Sequence, residues 1–412
     1  MPNPTDEPRR AVEAAARRSY GKLLAFLAAR TRDLAGAEDA LSEAFASALA
    51  TWPTQGVPRA PEAWLLQVAR RKTLDAGRRR QVRQAAMDPL RMLAEAAGDP
   101  GPAIPDERLR LMFACAHPAL DPAVRAPLML QCVLGFDAVS IGTAFLVAPA
   151  AMGQRLVRAK RKIRDAGVPF RVPDPDELAA RLDAVLDAIY AVFAAGWTDP
   201  ALTEEAIWLG RLVVALLDGE PEALGLLALM LHVQARRPAR RDANGTYIPL
   251  SAQNPADWQD ELIEEAEALL LRASRLQRIG RFQFEAAIQS AHAARRLTGL
   301  TAWVEVVALY DALLARTESP VVALNRAVAV GELHGAAAGL AALDRVAADQ
   351  RLADYQPYWA ARATLLADTG DADAADAAYA RAIGLEPDQA VRRFLQRRRA
   401  ELARAADRPR SI

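Results

Sequence analysis

The stretch Val139–Arg164 constrains the fold more than any other part of the chain. It reads VSIGTAFLVAPAAMGQRLVRAKRKIR. A short apolar helix ends near Phe145, a tight connection runs through Leu146–Pro149, and a second helix follows. In that second helix Met152, Leu156, Ala159 and Ile163 recur at i, i+4, i+7 and i+11, one apolar face at helical spacing. Arg155, Arg158 and Lys162 recur at i, i+3 and i+7 on another face. One side can dock on a core while the other meets phosphates and base edges. The arrangement is that of a helix-turn-helix, and it points to DNA. An ordinary helical hairpin with a solvated basic face would show the same spacing, so the surrounding chain has to decide.

That surrounding chain reads as nearly all-α. Alanine and leucine dominate, β-branched runs are short, and only 6% of residues are aromatic. A length of 412 residues suggests about three domains, and a 52% hydrophobic fraction is enough for sizeable cores. The net charge of +1 hides an asymmetry. Through Arg171 there are 26 basic and 17 acidic residues; the remainder carries 26 basic and 34 acidic residues. A basic front and an acidic back suit a nucleic-acid-binding half joined to a protein-interaction or regulatory half. Two cysteines, Cys115 and Cys132, make no disulfide framework and fit a reducing cytoplasm. With His117 they are a poor zinc set, so core packing is the better reading of both, and no metal or cofactor is expected. The start, MPNPTDEPRR, lacks a signal-peptide core, and no apolar run is long enough to span a membrane.

The chain divides into blocks. Residues 9–84 read as a compact helical domain, in which Leu41, Phe45, Ala48, Leu49 and Trp52 keep helical spacing. A loop over Pro53–Pro61 then breaks the helix. The next helix begins near Glu62 and carries Trp64, Leu65 and Val68, then Arg70, Arg71 and Lys72, then Arg78, Arg79 and Arg80. Residues 85–105 read as a linker, 106–171 as the domain with the helix-turn-helix, and 176–300 as a helical middle domain. Asp242 and Asn244 lie in a surface turn rather than a calcium loop, because the required ligand series is missing. Residues 301–400 show repeat character. In Ala363…Gly370…Ala375…Tyr379…Ala382…Pro387 small residues stand where two helices must approach closely, which matches the tetratricopeptide (TPR) pattern over one repeat.

Together the first two blocks resemble a bacterial RNA polymerase sigma factor of the extracytoplasmic-function type, which keeps only regions two and four. Glu38-Asp39-Ala40-Leu41-Ser42-Glu43-Ala44-Phe45 looks like the region-two helix that grips the polymerase clamp. Ala63-Trp64-Leu65 through Arg70-Arg71-Lys72 and Asp75…Arg78-Arg79-Arg80 looks like the helix that opens and holds the minus-ten element. The helix-turn-helix matches region four, which reads the minus-thirty-five element. Asp106–Phe113, His117-Pro118-Ala119-Leu120, Ala308–Leu314 and Pro320–Ala327 resemble the subfamily with a long, TPR-like C-terminal extension.

The resemblance implies an all-α protein: two small sigma domains followed by a helical extension. It implies core-polymerase contacts from Asp39, Leu41, Glu43 and Phe45. Minus-ten contacts would come from Trp64, Arg70, Arg71, Lys72, Arg78 and Arg79, and recognition-helix contacts from Ala150, Gln154, Arg155, Arg158 and Lys162. The implied partners are core RNA polymerase, promoter DNA and a regulatory protein on the extension. There are departures. Ser140 stands where the family has an acidic residue, Gly142 replaces an alanine at a cost of about 1 kcal/mol in helix propensity, and Pro127 should kink its helix.

Single-stranded promoter DNA needs a basic groove and pockets for unstacked bases. Trp64 can serve as such a surface or as a core residue. The expected function is promoter specificity through polymerase, with no chemistry of its own. The alternative is a stand-alone helix-turn-helix regulator with a ligand- or protein-sensing helical half; a scaffold whose basic half is incidental is a third. An enzyme is not expected: GxxxxGK[ST], GxGxxG, HExxH and GxSxG motifs are all missing, and the four histidines are scattered.

Overall fold

The structure, a computed structural model, describes residues 7–81, 107–145, 147–197 and 200–406. Among the described residues it is all-α. The helices are α1 (Glu7–Thr31), α2 (Leu34–Gln55), α3 (Pro61–Gln81), α4 (Arg108–Cys115), α5 (Pro122–Leu134), α6 (Ala138–Ala144), α7 (Pro149–Asp165), α8 (Pro175–Ala195), α9 (Pro200–Leu216), α10 (Pro221–Ala235), α11 (Asp260–Arg275), α12 (Arg281–Ala293), α13 (Arg295–Thr298), α14 (Trp303–Thr317), α15 (Pro320–His334), α16 (Ala336–Asp344), α17 (Gln356–Asp368), α18 (Ala372–Leu385) and α19 (Gln389–Ala406). The one extended pairing described is an isolated bridge between Arg241 and Tyr247. The chain forms two compact units, residues 1–209 and 210–412.

In the first unit α1, α2 and α3 pack on one another through Leu23, Leu24 and Leu27, Leu34, Leu41 and Trp52, and Leu65 and Ala69, all buried. Asp33 caps α2 by accepting the Gly36 N–H at 3.1 Å, the short polar side chain that a helix start favours. The helix runs to Gln55, two residues past the break expected at Pro53. A proline this close to the end removes only one of the last intrahelical bonds, so the turn survives. Against α1 lie α4 and α5, whose Met112, Phe113, Leu128 and Met129 are fully buried. The contact of α1 with α5 is backbone-close: a Cβ on Gly21 would sit 1.9 Å from the Val133 carbonyl oxygen. Only glycine allows that approach. Pro127 is buried inside α5, which continues as a helix on both sides of it.

The sequence boundary near residue 172 is not where the units divide. Helix α8 packs on α4 and α5. It buries Leu182, Val185, Leu186 and Ile189, and Arg181 donates to the Phe113 carbonyl at 3.2 Å. The 85–105 linker lies outside the described residues.

In the second unit α10 is mostly apolar around its circumference and almost wholly buried, with α11 and α12 against it. A helix that is apolar over most of its circumference has to be central. Residues 303–406 follow as successive packed helices, with Ala363, Ala375, Tyr379 and Ala382 buried at the α17–α18 contact. The Asp242 turn is closed by its own carboxylate, which accepts the N–H groups of Asn244 and Thr246 at 2.9 and 2.8 Å.

Candidate nucleic-acid interface

The helix-turn-helix is formed by α6 and α7. Asp137 caps α6 by accepting the Ser140 N–H at 2.7 Å, and that hydrogen bond holds its carboxyl below the usual range. The connection then turns tightly, with the Val147 N–H on the Gly142 carbonyl at 2.8 Å. A Cβ on Gly142 would meet the Val147 carbonyl oxygen at 2.6 Å. The glycine that looks like a weakened helix in sequence is what lets the turn close. Pro149 occupies the first position of α7, where its missing N–H costs nothing.

Helix α7 buries Met152, Leu156, Ala159 and Ile163, each at 5% exposure or less. Ala150, Gln154, Arg155, Arg158 and Lys162 are all exposed. Arg158 donates back to the Gln154 carbonyl at 3.3 Å, which aligns it along the helix. Lys160, which the basic stripe did not include, is buried at 8% exposure and ion-paired with Glu38 of α2. The pair ties the helix-turn-helix directly to the first three helices within one unit.

On α2, Asp39 and Glu43 are exposed. Glu43 pairs with Lys72 of α3 at 2.9 Å, joining the proposed polymerase face to the proposed minus-ten helix. Leu41 is fully buried and therefore belongs to the core rather than to a polymerase contact. Phe45 is half-buried and stacked on Tyr20 with ring centroids 6.3 Å apart. On α3, Trp64 is half-buried, its ring edge-on to Trp52 at 5.5 Å, so most of its surface is engaged in packing. Arg70 and Arg71 are exposed, and the Arg70 guanidinium lies 5.0 Å from the Phe26 ring centre. The backbone of α3 carries Arg78 and Arg79 onward; their side chains lie outside the described residues.

The cysteines are buried and hydrogen-bonded to each other, which together with burial pushes the Cys132 thiol up. His117 accepts the Ala119 N–H at 3.1 Å through Nδ1 and so serves a local turn. Among the described residues no helix is long and apolar enough to cross a membrane.

A protein of Rhizobium meliloti (strain 1021), described only as uncharacterized, is 38% identical to this chain over 409 residues, covering 95% of each. The chain belongs to the same family as that protein. Within the family chain, residues 15–83 match sigma-70 region 2, which takes in α2, α3 and most of α1. Residues 181–274 match a family of unknown function, DUF6596, which begins inside α8 and ends inside α11. No solved structure matches the chain. The first three helices are thus a sigma-70 region 2, the part of a transcription initiation factor that meets RNA polymerase and promoter DNA.

Proposed function

We propose that this protein is a sigma factor of the extracytoplasmic-function type that binds core RNA polymerase in the cytoplasm, directs it to promoters and carries a regulatory C-terminal extension. The observation that carries the reading is a sigma-70 region 2 followed, in the same compact unit, by a helix-turn-helix with an exposed basic stripe. Asp39 and Glu43 present charge for the polymerase, with Phe45 beside them. Arg70, Arg71 and Lys72 supply a basic track for the minus-ten strand, which Arg78 and Arg79 would extend; Trp64 acts more as the wall of that track than as a free stacking platform. Ala150, Gln154, Arg155, Arg158 and Lys162 form the upstream reading surface. The uncapped first turn of α7 also leaves backbone N–H groups for a phosphate. The helices after residue 301 act as a TPR-like surface for a regulatory protein, and the acidic excess of this half suits a role in restraining the basic front.

Run-off transcription with purified core polymerase tests this. The full chain should confer promoter-specific transcripts, and charge reversal at Asp39 and Glu43 should weaken co-purification with core enzyme while leaving helicity intact. Arg155→Ala and Arg158→Ala should each lower transcription, a bidentate base contact being worth about 1–3 kcal/mol of discrimination. A footprint on duplex DNA without polymerase, and no transcript with it, would sink the reading.

A further inference from the structure

The buried stripe of α7 fixes which way the helix faces, and that orientation sorts its exposed side chains. Ala150, Gln154, Val157, Arg158 and Arg161 recur at i, i+4, i+7, i+8 and i+11 on the side turned away from Met152, Leu156, Ala159 and Ile163, and all five are exposed. Arg155 and Lys162 each stand about 100° round from Gln154 and Arg161. They lie towards the edges of the buried stripe, where a helix seated in a groove passes the phosphate backbone. Base edges fall to the outer side.

Val157 is the one large apolar side chain among the described outer residues of α7, and it is 63% exposed. Its polar neighbours have partners within the helix. Arg158 donates to the Gln154 carbonyl at 3.3 Å, and Arg161 pairs with Asp165 at 3.2 Å. Val157 stands between them with its methyl groups open to solvent.

A second observation concerns the surface beside it. Helical side chains lean towards the N-terminus, over the residue four positions earlier. For Val157 that residue is Gly153. A Cβ on Gly153 would meet, apart from the backbone of its own helix, only the Ala138 methyl at 3.9 Å. Packing therefore does not require glycine there, and glycine costs the helix about 1 kcal/mol relative to alanine. Its effect is to leave a bare, shallow notch next to Val157, with the small side chains of Ala138 and Ala150 around it.

In the major groove the apolar group that a base pair presents is the C5-methyl of thymine. The other base-edge groups are hydrogen-bond donors and acceptors, which a valine would cover without satisfying. An exposed valine beside an empty notch, on the face turned to the bases, matches a methyl group in size and polarity.

We propose that Val157, with the bare backbone of Gly153 beside it, is a specificity-determining residue that packs on the C5-methyl of one thymine in the upstream promoter element. Gln154 and Arg158 on either side supply the polar contacts to neighbouring base pairs. The proposal rests on the sigma reading of the helix-turn-helix and adds to it the identity of one base.

Deoxyuridine, which is thymine without that methyl, tests it. Holoenzyme is assembled from the full chain and core polymerase, and its preferred promoter is selected from a randomised duplex library. Each thymine of the upstream element, on either strand, is then replaced in turn by deoxyuridine, and holoenzyme affinity is measured by competition. One position should weaken binding about fourfold, the worth of one buried methyl group. At that position a C·G pair should bind more weakly still, and 5-methylcytosine, which returns a methyl to the same place, should recover about fourfold over cytosine. Val157→Ala, an exposed change to a better helix former, should bind thymine and deoxyuridine alike, while Val157→Ile keeps the difference. A selected promoter with no deoxyuridine-sensitive position overturns the proposal. So does a sensitivity that persists in Val157→Ala, which would place its origin in DNA shape, or a 5-methylcytosine that recovers nothing. A holoenzyme that selects no sequence at all overturns the sigma reading together with the proposal.

Discussion

The Glu38–Lys160 pair is where the first unit can be tested most sharply. The two side chains are only 17% and 9% exposed, so the pair is largely shielded from solvent. Lys160→Met keeps the apolar stem and the approximate volume while removing the ammonium. The Glu38 carboxylate is then left with its cation gone and little water to replace it. Breaking a fully buried pair costs about 3–5 kcal/mol; the residual exposure of Glu38 brings the expectation down to about 2–3 kcal/mol. With a urea dependence of about 2 kcal/mol per molar, the midpoint for the first unit should fall by about 1–1.5 M. Glu38→Gln combined with Lys160→Met replaces the ion pair by neutral groups and should recover most of that loss, leaving a coupling of about 2 kcal/mol. Hydrogen exchange of the α2 and α7 peptides across a urea series separates this unit from the second. If the single substitution moves the midpoint by less than about 0.2 M, worth under 0.5 kcal/mol, the pair is not what ties the helix-turn-helix to region two, and the reasoning fails.

Other outcomes follow from the same contacts. Gly142→Ala should destabilise the helix-turn-helix by about 1–3 kcal/mol, despite its better helix propensity, because the added methyl meets the Val147 carbonyl; a melt at or above the parent's would refute this. His232 and His292 have folded-state values lowered by burial to about 3 and about 4. The unfolded chain therefore takes up protons below pH 6.5 while the folded unit does not. Stability of the second unit should be full above pH 6.5 and fall towards pH 4, by up to about 1.4 kcal/mol per pH unit for each histidine. Replacing His232 by Asn should flatten that slope in chemical denaturation, and an unchanged slope would rule His232 out as its source. Lys72→Glu should weaken promoter opening more than Lys72→Gln, since reversal both loses a basic group and repels Glu43; equal effects in a permanganate footprint would argue against it.

The buried face of α7 was legible in the sequence because four apolar residues at strict helical spacing leave only one way to dock the helix. Lys160 was missed for a reason of the same kind. In RLVRAKRKIR every cation reads as surface, yet Lys160 falls four residues after Leu156 and three before Ile163, at the edge of the apolar stripe. Glu38 likewise stands four after Leu34 and three before Leu41, both buried. Periodicity placed both groups, while their charge argued against burial. Only the packing of α2 against α7 resolves the conflict, because each ion supplies the other's partner. Leu41 shows the converse: its place in a motif suggested a contact, and its helical phase put it in the core. The burial of Arg236 left no trace in the sequence. A run of arginines after an apolar helix looks solvated, yet Arg236 is 7% exposed and donates to Gln289 of α12.

The boundary between the units changes how the extension can be studied. The prolines between Gly167 and Pro175 mark a domain edge in the sequence, and by sequence alone a cut near Val172 spares both proposed DNA-binding regions. Helix α8 lies beyond that cut, however, and Leu182, Val185, Leu186 and Ile189 are buried where it packs on α4 and α5. Burying each such side chain stabilises by about 1.5–3 kcal/mol, so removing four of them takes away an amount comparable to the whole stability of a small domain. Arg181 would also leave the Phe113 carbonyl. A chain ending near Val172 should therefore lose the helix-turn-helix by unfolding, whatever the extension does for regulation. Silence of such a fragment in transcription would report on packing. Regulation by the second unit has to be read from substitutions within it, in a chain whose first unit remains covered by α8.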